Sequence, residues 1–288
     1  MSNQNIPEIR IDTWEKLQDF IGKIYPVNAG VQELRLIVTK DKEMSENGYI
    51  FRGQKDPEWK LSSTLERHFA DNGVGVALDT YANRCEDLLN RYKPLFRGRI
   101  FEQFLLMDKQ FDDELWAFGQ HYDLKTPLLD WSYSFFVALY FAFIDRAEHP
   151  YRAVFILNRS ILPFAKNTIK CFEPKLDIGG RLNAQKGLFT KNLSSDFEGL
   201  NAAYVEVLSS IDTGVTFSEQ FNFPNQDCSS MTEVPIYKVL IASTLREKIL
   251  TYLNILNVNG FTLFPDTKGL VTQCHLELEN MITHLKSA

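Results

Sequence analysis

A short apolar run, Tyr49-Ile50-Phe51-Arg52-Gly53-Gln54, closes on an arginine and a glycine. Arginine carries a fixed charge on a planar donor fork, which suits phosphate or ribose oxygens. Glycine admits a ligand close to the backbone. Taken alone, the pair reads more readily as an exposed arginine beside a turn glycine. The tripeptide also recurs as Phe96-Arg97-Gly98 in a basic loop after Pro94, and that copy is read as structural. A second cluster runs Gly119-Gln120-His121-Tyr122 and then Thr126-Pro127-Leu128-Leu129-Asp130-Trp131-Ser132-Tyr133. Pro127 keeps Thr126 out of helical geometry. Asp130 or Ser132 could cap a following helix, and Trp131 could be core. His121 alone is more often a hydrogen-bonded structural residue than a catalytic one. A third cluster, from Arg181 through Gln185 to Gly187 and Phe189, sets polar residues at the mouth of a strand. The fourth, Thr262-Leu263-Phe264-Pro265-Asp266 with Gly269, is a turn opening a terminal helix.

These residues need elements to hold them. Asp12-Thr13-Trp14-Glu15 reads as a helix start with Asp12 as the cap, and the helix should end at Pro26. Strands are expected over Tyr49–Gln54, 126–132, 153–157, 188–190, 204–208 and 236–241. Helices are expected over 78–92, stopped by Pro94, over 112–120, and over 134–144, which is apolar nearly all round. Another is expected over 245–256, with Thr244 and Glu247 as a capping box and Gly260 just past its end. The last begins near Lys268. Short interleaved strands without parallel crossovers predict an α+β fold. The expectation is a single domain with its core at about 14–276, a central split antiparallel sheet, and a helical insertion at about 76–118.

The chain has 288 residues, a net charge of −6, 44% hydrophobic and 24% charged residues. That composition offsets the entropy of ordering, so a disordered chain is excluded. The negative balance argues against a basic non-specific nucleic-acid binder, though a local basic cleft is compatible with it. Cys85, Cys171, Cys228 and Cys274 are far apart, so no zinc-ligand pair is visible and no metal is expected. They read as reduced thiols. No apolar stretch follows Met1, and the longest apolar run, 135–144, falls far short of the roughly 20 residues of a spanning helix. A cytoplasmic location without a membrane partner is therefore expected. There is no GxGxxG, GxxxxGKS or HExxH, and no clustering of carboxylates and histidines that a metal nuclease would need.

In their order, the clusters resemble the FRG domain family, named for the Phe-Arg-Gly that Phe51, Arg52 and Gly53 match. The resemblance continues through Trp59, Leu61, Leu65, Gln120-His121-Tyr122 and the 126–132 segment. It extends over Val137-Ala138-Leu139-Tyr140-Phe141-Ala142, Gln185, Gly187 and Phe189, and ends at Leu263-Phe264-Pro265-Asp266 with Gly269. Leu128 stands where the family commonly places an arginine. More distantly, the chain is similar to ADP-ribosyltransferase-like folds. Their site opens with aromatic-Arg-Gly on a strand, matched by Arg52. It continues with a Ser-Thr-Ser-type strand entering a Val-Ala-x-x-Phe-Ala helix, matched by Asp130-Trp131-Ser132 and Val137 to Ala142. Their catalytic glutamate has Gln185 in its place here, with Glu173 the nearest upstream carboxylate.

The resemblance implies NAD as cofactor and transfer of ADP-ribose to a protein or an RNA. It implies a toxin or anti-phage defence effector with a neutralising protein partner, as in a toxin–antitoxin system. It implies catalytic roles for Arg52, His121 and either Gln185 or Glu173. Contacts to NAD would come from Arg52, Gly53, Gln120, Asp130 and Ser132, with Tyr122, Trp131 or Tyr133 stacking on the ring. The Gly53 backbone would pair with the nicotinamide amide. The competing expectation is a non-catalytic FRG module that binds a ligand or nucleic acid, which glutamine in place of glutamate favours.

Overall fold

The computed structural model describes residues 6, 8–25, 48–74, 81–159, 169–193 and 236–287. The strand expected at 204–208 and Cys228 lie outside them.

Among the described residues, seven strands form one mixed sheet: β1 (Glu8–Ile11), β2 (Tyr49–Gln54), β3 (Leu128–Ser132), β4 (Tyr151–Asn158), β5 (Ile169–Phe172), β6 (Gly187–Asn192) and β7 (Ile236–Ala242), in the order β1-β7-β4-β2-β3-β6-β5. Of the pairings among these seven, β1 with β7 is parallel and the others are antiparallel. β4 is buried from Arg152 to Asn158, as a central strand covered on both faces must be. Its residues alternate: Ala153, Phe155 and Leu157 serve one face, Val154 and Ile156 the other.

On the first face a single apolar cluster crosses the whole sheet, from Leu240 through Phe155 and Ile50 to Trp131 and Leu188. The second face carries two separate clusters. One lies under α1 (Trp14–Ile24), α5 (Phe135–Phe143) and α7 (Arg246–Ile255), the other under α2 (Thr64–Asp71), α3 (Tyr81–Phe96) and α4 (Asp112–His121). The sequence predicts α+β, and that class is observed. Where it predicts a split sheet, one continuous sheet narrows to a single registered pair, Phe51 with Ser132, between β2 and β3. β2 pairs with β4, and β3 with β6, along their lengths.

α5 is the element that fixes the junction. Ser134 caps it, accepting from the Val137 amide at 3.4 Å, so neither Asp130 nor Ser132 is its cap. At its other end Arg246 donates to the carbonyls of Phe143 and Ile144 at 2.9 and 2.7 Å. Between, it rides directly on β2. A Cβ added at Gly53 would stand 1.8 Å from the Ala138 carbonyl oxygen, so only glycine allows this packing.

Other details differ from expectation for local reasons. Thr13, not Asp12, caps α1, while an Asp12 oxygen accepts from Tyr151 at 2.8 Å. Pro94 does not stop α3; it costs one helical bond near the end, and Tyr92 and Phe96 hold the last turn against Trp116 and Phe118. Gly98, at φ 70°, follows that end. α2, unforeseen, is a short helix begun by a Ser63–Glu66 capping box. α7 enters from a 3-10 turn, Ser243–Leu245, with no side-chain cap, so Thr244 and Glu247 form no capping box. Asn257, at φ 57°, occupies the left-handed position past α7. Gly260 instead opens α8 (Gly260–Leu263), capped by Asn259. α9 (Thr267–Ser287) ends the chain's described part. No helix among the described residues is long and apolar enough to cross a membrane.

Candidate functional site

Where the sheet's halves meet, the helical layers above them part. A cleft of about 510 Å³ lies there between Val137, Ala138 and Phe141 of α5 and Ala117, Gln120 and His121 of α4. β2 and β3 supply its floor, and the segment before β6 its far wall.

Arg52 sits at the point where β2 and β3 separate. Its Nη1 donates across the gap to the Asp130 carbonyl at 2.9 Å and lies 3.6 Å from the Asp130 carboxylate. The Arg52 side chain is 18% exposed and that of Asp130 62%. Burial pushes the arginine pKa down, and the Asp130 carboxylate opposes that shift. Gln120 orients the carboxylate, donating from Nε2 to Oδ1 at 2.7 Å. Gln120 is itself held by the Thr126 hydroxyl, and Thr126 is fully buried with its amide on the Thr64 hydroxyl at 3.0 Å. A chain of hydrogen bonds thus runs from α2 to Arg52 and fixes one carboxylate toward the cleft.

The far wall is bolted to the C-terminal motif. Gln185 donates from Nε2 to the Leu263 carbonyl at 3.0 Å. Arg181 pairs with Asp266 through Nε at 2.8 Å and lies over the Phe264 ring at 5.6 Å. Phe264 meets Phe141 of α5 edge to face at 5.9 Å, so it spans the cleft's two sides. Asp177 accepts from the Leu182 and Asn183 amides at 2.8 and 2.9 Å and so holds the start of the short helix α6 (Arg181–Ala184), which carries Arg181. The fourth sequence cluster therefore braces the site.

Arg52, Gly53, Gln120, His121, Asp130, Trp131, Ser132 and Gln185 all line the cleft, although Arg52 and Gln185 lie far apart in the sequence. Three expected members do not. Tyr122 points out of it, 63% exposed, against Phe118 and His121. Tyr133 and Glu173 bond each other, with Arg159 over the Tyr133 ring at 5.2 Å, and neither lines the cleft. Tyr133 packs instead against the sheet's continuous apolar cluster.

Several lining residues are committed elsewhere. The Ser132 hydroxyl donates to the Gln185 carbonyl at 2.7 Å and accepts from the Ser134 amide. The Trp131 ring is buried, its Nε1 donating to the Thr190 hydroxyl at 2.8 Å, so it is not a stacking face. Gly53 is needed by α5, as above. Beyond the expected set the cleft contains Gln54, Trp59, Lys55, Asp145, Arg181, Phe141 and Phe264. Gln54 was discoverable from alternation, since it lies two residues past Arg52 on a strand.

Among the described residues no group of three or more His, Cys, Asp or Glu side chains is placed to hold a metal ion. Cys85, Cys171 and Cys274 are free thiols.

No curated protein and no solved structure matches the chain. The family model of the FRG domain matches residues 47–150. That span holds Arg52, the Gln120–Asp130 network and α5, while Gln185 and the Leu263–Asp266 brace lie beyond it. Residues 47–150 are what the FRG domain model matches, and that span supplies the floor and two walls of the cleft.

Proposed function

We propose that the cleft binds NAD and that the chain is an ADP-ribosyltransferase with a protein or an RNA as acceptor. The observation that carries this reading is Arg52. It is a guanidinium fixed to Asp130 through one nitrogen, in the floor of a roughly 510 Å³ cleft, with its Nε unpartnered among the described residues. That volume suits a small-molecule site. NAD supplies a glycosidic bond whose cleavage develops positive charge on the ribose and frees a neutral amide. The chain's part is to hold the dinucleotide and to place a carboxylate against that charge. Asp130 suits the second of these roles, because it is exposed to the cleft and oriented by Gln120 and Arg52. Trp59, Phe141 and Phe264 offer apolar ring surface for the two bases. A neutralising partner would act by covering the cleft mouth, where Trp59 is about half exposed.

One observation favours the second reading, a non-catalytic binding module. The residue in the cleft is a glutamine, Gln185, whose Nε2 is held by the Leu263 carbonyl, and Glu173 lies outside, so among the described residues no glutamate lines the cleft. Incubation with adenylate-labelled NAD and host lysate tests both. Label on protein or RNA together with released nicotinamide supports the transferase. Binding without release of nicotinamide supports the module.

A further inference from the structure

The stretch from Arg91 to Phe101 holds four cations and no carboxylate, in a chain whose net charge is −6. It forms the last turns of α3 and the tip beyond them. Lys93 is spent on Asp112 at 2.5 Å. Arg91, Arg97 and Arg99 are exposed, and among the described residues none of them has an ion pair or a side-chain hydrogen bond. Phe101 is 95% exposed. The backbone holds the tip in this shape. Phe96 and Ile100 pack inward on the cluster under α2, α3 and α4. The Gly98 amide donates to Gln103 Oε1 at 3.1 Å, and the Arg99 amide to the Phe96 carbonyl at 2.9 Å.

A row of rings joins this tip to the cleft. His121 lines the cleft and meets Tyr122 at 4.9 Å. Tyr122 meets Phe118 at 5.1 Å, and Phe118 meets Phe96, the neighbour of Arg97, at 6.3 Å. Tyr122 is itself exposed on this route. Guanidinium forks suit phosphate oxygens. An open ring offers a stacking face to any unpaired base, and cations interleaved with such rings hold single-stranded nucleic acid. An acidic protein would meet the arginines but supplies no series of ring faces for Phe101 and Tyr122. An anionic membrane would take up the tip alone and gives Tyr122, beside the cleft, no part.

We infer that the tip of α3 and Tyr122 form a platform for single-stranded RNA, with Arg91, Arg97 and Arg99 on phosphates and Phe101 and Tyr122 under bases. The strand's role as acceptor rests on the transferase reading; its binding does not. In that transfer the bond between ribose and nicotinamide breaks and nicotinamide leaves with the bonding pair. A hydroxyl or base nitrogen of the strand bonds to the ribose carbon, and its proton passes to solvent.

The test is fluorescence anisotropy of the full chain with a labelled, unstructured RNA of about 15 nucleotides, near the upper site size of such platforms. Wild type should bind it, less tightly as salt rises. The double variant Arg97→Ala, Arg99→Ala should weaken binding about tenfold or more. It should also lower the salt slope by about 1.4, the share of two phosphates on a single strand. Phe101→Ala should weaken binding about tenfold, and Phe101→Trp, which keeps a stacking face, should not. These positions are exposed, so melting temperatures and NAD affinity should match wild type. No binding of RNA by wild type, or equal binding by wild type and the double variant, overturns the platform. So does binding of phosphatidylserine vesicles in place of RNA. Transfer of label from NAD to protein and not to RNA overturns it while the transferase reading stands. A DNA strand of the same sequence bound tenfold more tightly overturns the choice of RNA. RNA held at the tip by a chain that binds no NAD keeps the platform and overturns the transferase reading.

Discussion

The chain contains the tripeptide Phe-Arg-Gly twice, and the two copies do opposite things. At Phe51-Arg52-Gly53 it lies in a central strand. Phe51 is in the core, Arg52 reaches across to Asp130, and Gly53 presses on the backbone of α5. At Phe96-Arg97-Gly98 it closes a helix. Phe96 packs on Phe118, Arg97 is exposed, and Gly98 turns through φ 70° with nothing within 4 Å of where its Cβ would be. In one copy glycine is required by a neighbour's closeness, in the other by its own backbone angle. Sequence identity over three residues says nothing of this difference; the element that carries them decides it.

The comparison can be broken most severely at Gly53. Gly53→Ala places a Cβ 1.8 Å from the Ala138 carbonyl and 2.7 Å from the Ala142 amide nitrogen, so α5 must lift. Overpacking against backbone should cost about 3 kcal/mol or more, read as a large fall in the midpoint of denaturant unfolding. Gly98→Ala meets no clash and pays only for a left-handed alanine, about 1–2 kcal/mol by the same measurement. A Gly98→Ala loss equal to that of Gly53→Ala would remove the distinction drawn between the two glycines. Smallest of all is Arg97→Ala, an exposed change expected to stay within about 0.5 kcal/mol.

How much of this was legible follows from the range over which each signal acts. β2, β4, β7 and α5 show in their own residues, through apolar runs and the polar punctuation around them. The order of the four clusters also led to the expectation that Arg52, His121, Tyr122, Asp130, Ser132 and Gln185 share a cleft, and all of them but Tyr122 line it. What stayed hidden depends on partners distant in sequence. β1 has four residues and exists by pairing with β7, which lies more than 200 positions later. Gln185 is held by the Leu263 carbonyl far along the chain, and Glu173 bonds Tyr133 outside the cleft; neither contact can be read from the local sequence. The survival of α3 past Pro94 likewise depends on Trp116 and Phe118, on another helix.

The central claim is that the first copy of the tripeptide, and not the second, builds the ligand site. It is tested most directly by titrating NAD against wild type, Arg52→Ala and Arg97→Ala chains whose melting temperatures match. The account predicts binding by wild type and Arg97→Ala with equal affinity, and none by Arg52→Ala. Undiminished binding by Arg52→Ala, or loss of binding in Arg97→Ala, would contradict it.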